Sequence, residues 1–437
     1  MKKKLLLIEL NEFNLKFLKK GSKKYKCKNL LYLLKNLKYC RTFTKDKTQD
    51  YNLDPWVQWV SIHTGKNSTK HKIKRHGEIL NKKIEQIWDV LSKYKISSCV
   101  WSPPNGVLRK KIKIFFPDPW SFKQIAYPKY LNNYLFLPRY YANNYTDFKF
   151  ITLLKYFFLF IFNFAFTIYF KSFLKFVPNV MMILFKSGLS NFSLFFIFDI
   201  INLYIFKHYL EKKKTNFNLI FLNSLAHFQH NNWDKPELEK FYFEYTDKIA
   251  AIILELKSLH NAIILTNGFS QKKINKKFII RNKNPEKFIK FLNFKYQKVQ
   301  PNMTNGGMIF FNSDVDKFVA LNKLKNLRLF GCKFIKTEIK KKSIYYELDL
   351  KFKKKIDHNI KNSFNSIKSY VIDKPLKLPS KTDFEQSRKI SKMLSFLKTT
   401  SRHTSNGDLF FYGINIKKKN IENHQIFSQI KSYFLNK

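Results

Sequence analysis

Asn223, His227 and His230 stand at i, i+4 and i+7 in "LNSLAHFQHNNWD", directly after the apolar run "NFNLIF". On a helix that spacing sets the three side chains along one face. Imidazoles placed this way hold a divalent cation when carboxylates join them. Here the first position is asparagine, a neutral amide where a carboxylate would be expected. Polar residues recur beside other predicted strands: Asn11 and Glu12 after "KLLLIEL", Asn267 after "NAIILT", and His403 ahead of "LFFYGINI". In open α/β sheets ligands bind at the carboxyl ends of the strands. Asn11, Asn223, His227, Asn267 and His403 are therefore expected to converge at one end of a sheet.

The elements that must position them alternate. "KLLLIEL", "ISSCVW", "NFNLIFL" and "NAIILT" read as buried strands, and "KKIEQIWDVLSKY" and "YFEYTDKIAAIILELKSL" as amphipathic helices. This rhythm predicts an α/β fold with a mostly parallel central sheet sandwiched by helices. Two stretches interrupt it. Residues 125–215 read as a helical insertion and 272–398 as a smaller α+β insertion, leaving core segments at 1–124, 216–271 and 399–437. Within the first insertion, 151–170 carries only Lys155 and 189–206 only Asp199. Both are long enough to cross a bilayer, but basic residues flank them on every side, so no positive-inside asymmetry orients a span. The expectation is a helical lobe, with peripheral membrane contact through its aromatic and lysine residues.

The formal charge is +52, from 82 Lys and Arg against 30 Asp and Glu. Lysines are spread over the whole chain, and no arginine cluster or RNA-binding motif stands out, so a nucleic acid is not the expected partner. The surface should still attract anions, whether a small molecule, a lipid headgroup or a glycan-linked phosphate. Four scattered cysteines (Cys27, Cys40, Cys99, Cys332) form no CxxC pair, which fits a reducing, cytoplasmic compartment. The start "MKKKLLLIELNEF" has too short an apolar run for a signal peptide and reads as a first core strand.

The order and spacing of these residues resemble the alkaline phosphatase superfamily, most nearly its type I phosphodiesterase and nucleotide pyrophosphatase branch. The resemblance covers most of the chain and implies the following placements. Asn11 in "LLLIELNE" takes the position of a metal-binding aspartate. "WVSIHTGKNSTKH" matches the nucleophile loop through Ser61, Thr64, Gly65 and His71. Asn223 and His227 match the spacing of an Asp-x-x-x-His metal pair. Asn267 and Gly268 fall on a second Asp-His pair, and His403 with Gly407 on the last metal histidine. The departures are equally specific: the nucleophile position falls on Pro55, three metal aspartates are asparagine, and one histidine is Gly268. Removing three carboxylates leaves two adjacent cations badly compensated, so at most one divalent ion, zinc or manganese, is expected.

Three readings stay open at this point. One ion binds through His227, His403 and His230 or Glu12, and activates water to hydrolyse a phosphate or sulfate ester. Alternatively no ion binds, and a pocket of Asn, His and Lys holds an anion or runs a transferase reaction with Asp54 or Glu12 as general base. In the third, the fold is kept for binding alone. Asn11, Asn223, His227 and His403 are the expected metal positions, with Asn267, His230, Trp56 and Ser61 expected to touch substrate.

Overall fold

The structure, a computed structural model, describes residues 3–46, 53–110, 112–144, 149–167, 170–188, 190–301, 305–329, 332–348 and 381–436. The chain divides into two compact units, one of residues 1–139, 154–275 and 400–437, the other of residues 140–153 and 276–399.

The first unit is built on an eight-stranded sheet. Its strands are β1 (Leu5–Leu10), β2 (Lys38–Phe43), β3 (Ser98–Trp101), β4 (Ile114–Phe116), β5 (Phe217–Leu222), β6 (Ala262–Thr266), Asn406–Tyr412 and Asn420–Glu422. The order is Asn420–Glu422, β2, Asn406–Tyr412, β6, β1, β5, β3, β4. Asn406–Tyr412 runs antiparallel to both its neighbours; the remaining pairs are parallel. The fold is thus α/β with a mostly parallel sheet.

β1 lies between β5 and β6, and all six of its residues are buried. A strand covered on both faces reads as a continuous apolar run rather than an alternation, which is why "LLLIEL" is legible. The period of two still sorts the side chains. Leu6, Ile8 and Leu10 enter one core, with Leu18, Leu30, Tyr242 and Ile253 from helices Leu15–Lys24, Lys28–Lys35 and Glu239–Ser258. Leu5 and Leu7 enter the other, with Trp59, Trp88 and Ile426 from helices Pro55–Thr64, Ile87–Lys93 and Ile426–Leu435. The one charged residue of β1, Glu9, sits 2.7 Å from His63 Nε2 on helix Pro55–Thr64, both side chains fully buried. Burial pushes the Glu9 carboxyl above its ordinary range, against the opposing pull of His63.

The 125–215 segment is helical, as its composition predicts: Phe136–Asn144, Phe150–Thr167, Phe170–Ser187 and Asn191–Lys213. It does not leave the core as a lobe. Phe160, Phe164, Phe176, Phe196 and Ile200 share one apolar cluster with Leu6 and Ile8 of the central strand, because their aromatic faces have the sheet to bury against. Among the described residues one helix, Phe192–Lys213, is long and apolar enough to cross a membrane, and 72% of its apolar window is buried inside the protein. That is the condition of a core helix.

The second unit has its own core around Phe288, Ile309, Leu324, Tyr346 and Ile390. Its four-stranded sheet runs Ile335–Lys340, Ser343–Leu348, Gly306–Phe310, Lys298–Pro301, with every pair antiparallel. This is the α+β character expected for 272–398, although residues 349–380 lie outside the described residues. Two long paired strands, Ser270–Asn282 and Leu394–Thr404, belong to the first unit only through residues 270–275 and 400–404.

Candidate functional site

Asn11, Asn223 and Asn267 directly follow β1, β5 and β6, three adjacent parallel strands, so the topology brings them to one sheet end. Their side chains are committed to structure. Asn11 Oδ1 accepts the Trp59 indole N–H (2.8 Å), and its Nδ2 donates to Glu12 Oε1 (2.9 Å) and Asn223 Oδ1 (2.8 Å). Asn267 Oδ1 accepts the Asp408 N–H (2.7 Å), and its Nδ2 donates to the Phe13 carbonyl (2.8 Å) and Asp408 Oδ2 (3.2 Å). Gly268 sits at φ +71°, and a Cβ there would meet the Trp59 ring at 3.1 Å. A histidine at this position would be both strained and crowded.

The donors that do converge are Glu12, His230 and His403, whose ligand atoms all lie within 4.8 Å of one another. Glu12 is buried and adopts φ +55°, a left-handed conformation that costs a non-glycine residue about 1 kcal/mol. Its backbone N–H is tied to the Asn267 carbonyl at 3.1 Å. That turn aims Oε2 at three groups: His230 Nε2 at 2.9 Å, His403 Nε2 at 3.0 Å, and the Gln271 amide N–H at 2.6 Å.

The outer nitrogen of each ring fixes its tautomer. His403 Nδ1 lies 3.4 Å from Asp54 Oδ1, a carboxylate that can only accept. His230 Nδ1 meets Ser401 Oγ at 3.1 Å, and Ser401 spends its proton on Gln271 Oε1 at 2.6 Å. The Gln271 amide cannot be turned over, since its oxygen would then face the Glu12 carboxylate. Both imidazoles therefore carry a proton on Nδ1 and present Nε2 to the same Glu12 oxygen. A neutral ring would aim a lone pair at a carboxylate from 3 Å, so positive charge, either protons or a cation, belongs between them. With protons there, burial opposes charge on both partners. Even so, His403 and His230 hold the Glu12 carboxyl well below its usual range. Burial likewise disfavours the His403 imidazolium, yet Glu12 and Asp54 raise that ring to about 10. His403 Nε2 nonetheless finds no aligned hydrogen bond; its contact with Oε2 is close but off-line.

The residues present therefore fit one divalent cation: a carboxylate oxygen and two Nε2 atoms, with Asp54 and Ser401 orienting the rings from behind. They do not fit two, because the amides of Asn11, Asn223 and Asn267 are hydrogen-bonded elsewhere and Gly268 has no side chain.

The remaining sequence candidates lie elsewhere. His227 stacks on Phe195, ring centroids 3.4 Å apart, and is not in the three-donor group. Trp56 spends its indole N–H on the Lys74 carbonyl and stacks on His76, so core packing accounts for it. Ser61 and His71 resemble a nucleophile–base pair at 3.0 Å, but the wiring runs backwards. His71 Nδ1 accepts the Ile73 N–H, so the ring donates from Nε2 to Ser61, whose own proton goes to the Val57 carbonyl. Burial pushes His71 down to about 4, keeping it neutral. Ser61 lines a pocket of about 500 Å³ with Asp46, Asn67 and His424, and the three donors are not among its lining residues.

Sequence reasoning missed Gln271, Ser401 and Asp199. The first two lie on long strands, Ser401 two residues before His403, and neither is of a type that marks a site. Asp199, the lone acid in an apolar run, caps the site helix Ser224–Asn232, its Oδ2 accepting the Asn223 and Ser224 N–H groups at 2.9 and 2.7 Å. Burial raises its carboxyl to about 7 despite those bonds. In the unfolded chain it ionises near 4, so the contribution of this group to wild-type stability should fall as pH rises from about 4 to about 7, then level off. Asp199→Asn keeps an acceptor without this cost. Urea unfolding should show the variant's relative stability improving between pH 5 and pH 8, by roughly 2–4 kcal/mol; a pH-independent difference would contradict a proton held by Asp199.

No family model matches the sequence, and no curated protein matches it. Among solved structures, the chain is similar to murine ectonucleotide pyrophosphatase/phosphodiesterase 5, at 11% identity and TM-score 0.41 over 99% of this chain and 95% of that one. It is also similar to phosphonoacetate hydrolase from Sinorhizobium meliloti 1021, at 8% identity and TM-score 0.41 over 99% and 96%. A third is alkaline phosphatase from the Antarctic bacterium TAB5, at 10% identity and TM-score 0.39 over 99% and 98%.

Proposed function

We propose that the chain is a phosphate- or sulfate-ester hydrolase or transferase of the alkaline phosphatase superfamily, working with one divalent cation at Glu12, His230 and His403. The observation that carries this reading is the shared orientation of two imidazoles: each spends its Nδ1 proton outward and turns Nε2 on one buried carboxylate oxygen. A divalent cation here would supply Lewis acidity toward the oxygens of a transferring phosphoryl or sulfuryl group.

The chain's own groups divide the remaining work. Glu12, held by Asn11 and Gln271, keeps a fixed negative charge in the buried floor of the site. Asp54 holds His403 in one tautomer. Its side chain is 22% exposed, and in this reading it acts by orienting His403 from behind. Pro55 stands at the nucleophile position of the resemblance and Ser61 is wired as a donor, so the acceptor in this reading is water or a hydroxyl of the second substrate. The basic surface favours an anionic substrate, and a lipid- or glycan-linked phosphate suits it.

The test is turnover of an aryl phosphodiester, an aryl phosphomonoester and an aryl sulfate by full-length protein, with manganese or zinc and with a chelator. The expected result is cleavage of at least one ester that the chelator abolishes, and a kcat about 10–100-fold lower for Asp54→Asn. Cleavage that is indifferent to chelator, or none with either metal, would count against a cation-assisted enzyme.

A further inference from the structure

Helix Phe150–Thr167 is apolar around most of its circumference, and helix Phe170–Ser187 carries Lys171, Lys175, Asn179 and Lys186 along one face and apolar residues on the rest. Only one side is buried. Phe160 and Phe164 of the first helix and Phe176 and Ile183 of the second point into the core, Phe164 and Phe176 meeting edge to face at 4.5 Å. The opposite stripes face outward. Leu154, Phe158, Phe162 and Phe166 recur at helical spacing on the first helix, and Leu174, Met181 and Phe185 on the second. Phe158 and Phe162 are each 61% exposed and Phe185 is 94% exposed. Exposed apolar stripes of this kind mark an interaction site.

Charge identifies what covers it. Between residues 150 and 187 there are four lysines and no acid. Lys155 and Lys175 are exposed, while Lys186 is held by Glu244 at 2.7 Å. A second copy would bring the same lysines against these on a chain already at +52, which opposes self-association. An apolar stripe bordered by lysines matches the boundary between acyl chains and anionic headgroups.

We propose that these two helices dock the protein on an anionic lipid bilayer, lying in its interface with the outer stripes inserted. The opposite faces of both helices stay in the protein core, so the docking is peripheral. The proposal stands on these helices alone, so its failure would leave the Glu12 site untouched.

The experiment is co-sedimentation of full-length protein with vesicles of phosphatidylcholine alone or with phosphatidylglycerol added. Two variants accompany the wild type: Phe158→Ser/Phe162→Ser/Phe185→Ser, and Lys155→Glu/Lys175→Glu. The substituted side chains point outward, and circular dichroism checks that both variants fold. Wild type should bind the anionic vesicles, the serine variant at least ~10-fold more weakly. The glutamate variant should bind the anionic vesicles more weakly than wild type while its binding to neutral vesicles changes little. Equal binding by all three proteins, or none by wild type, overturns the proposal. So does a wild-type dimer in sedimentation velocity that the serine variant makes monomeric, since a second copy would then be the occupant.

Discussion

Glu12→Gln is expected to weaken divalent-cation binding by at least ~100-fold, the consequence of removing the one carboxylate from a three-donor set at about 3 kcal/mol or more. Glutamine keeps the volume and can still accept from Asn11, which isolates the charge as the variable. The metal-free protein should also lose stability, by about 3 kcal/mol, because Glu12 is the buried counter-charge to His403. Titration of manganese or zinc into chelator-stripped protein measures the first effect, and urea unfolding in chelator the second. If Glu12→Gln bound the cation as wild type does, the carboxylate would have no part in the site.

The second large effect runs against a simple repair of the sequence. By the resemblance, Asn11 is an aspartate position that has lost its charge, and restoring the aspartate should strengthen a cation site. The structure gives Asn11 a different task. Its Nδ2 donates to Glu12 Oε1 and to Asn223 Oδ1, and the residue is only 2% exposed. In Asn11→Asp both contacts would set oxygen against oxygen, with a second buried negative charge beside Glu12. The expected cost without a cation is about 3–5 kcal/mol of unfolding free energy, less if the new acid takes up a proton. Manganese or zinc should return part of it, so the gap to wild type should be wide in chelator and narrower with metal. A variant as stable as wild type in chelator would show that the amide is not holding Glu12.

These two residues also show how far the sequence could be read. The strands before the site were legible because β1, β5 and β6 are buried on both faces and therefore read as unbroken apolar runs. Polar residues at their ends pointed to one end of the sheet, and topology makes three of them neighbours there. Which side chains converge was less legible. The charge sits one residue beyond the expected position, at Glu12 rather than Asn11, because the chain turns through φ +55° there. The imidazole sits three residues on, at His230 rather than His227, with Ser401 behind it. Spacing alone does not separate i+4 from i+7 on one helical face. Gln271 and Ser401 were not legible as partners, since their contact depends on two strands distant in sequence that pair with each other. Asp199 was visible as a lone charge in an apolar run, but its task as a helix cap depends on a contact across 24 residues.

The most direct test of the single-cation site is calorimetric titration of zinc or manganese into chelator-stripped full-length protein, comparing wild type, His403→Ala and His227→Ala. The geometry predicts one ion per chain in wild type, loss of binding in His403→Ala, and retention in His227→Ala, whose ring stacks on Phe195 outside the donor set. Two ions per chain, or loss in His227→Ala with retention in His403→Ala, would contradict a site built on Glu12, His230 and His403.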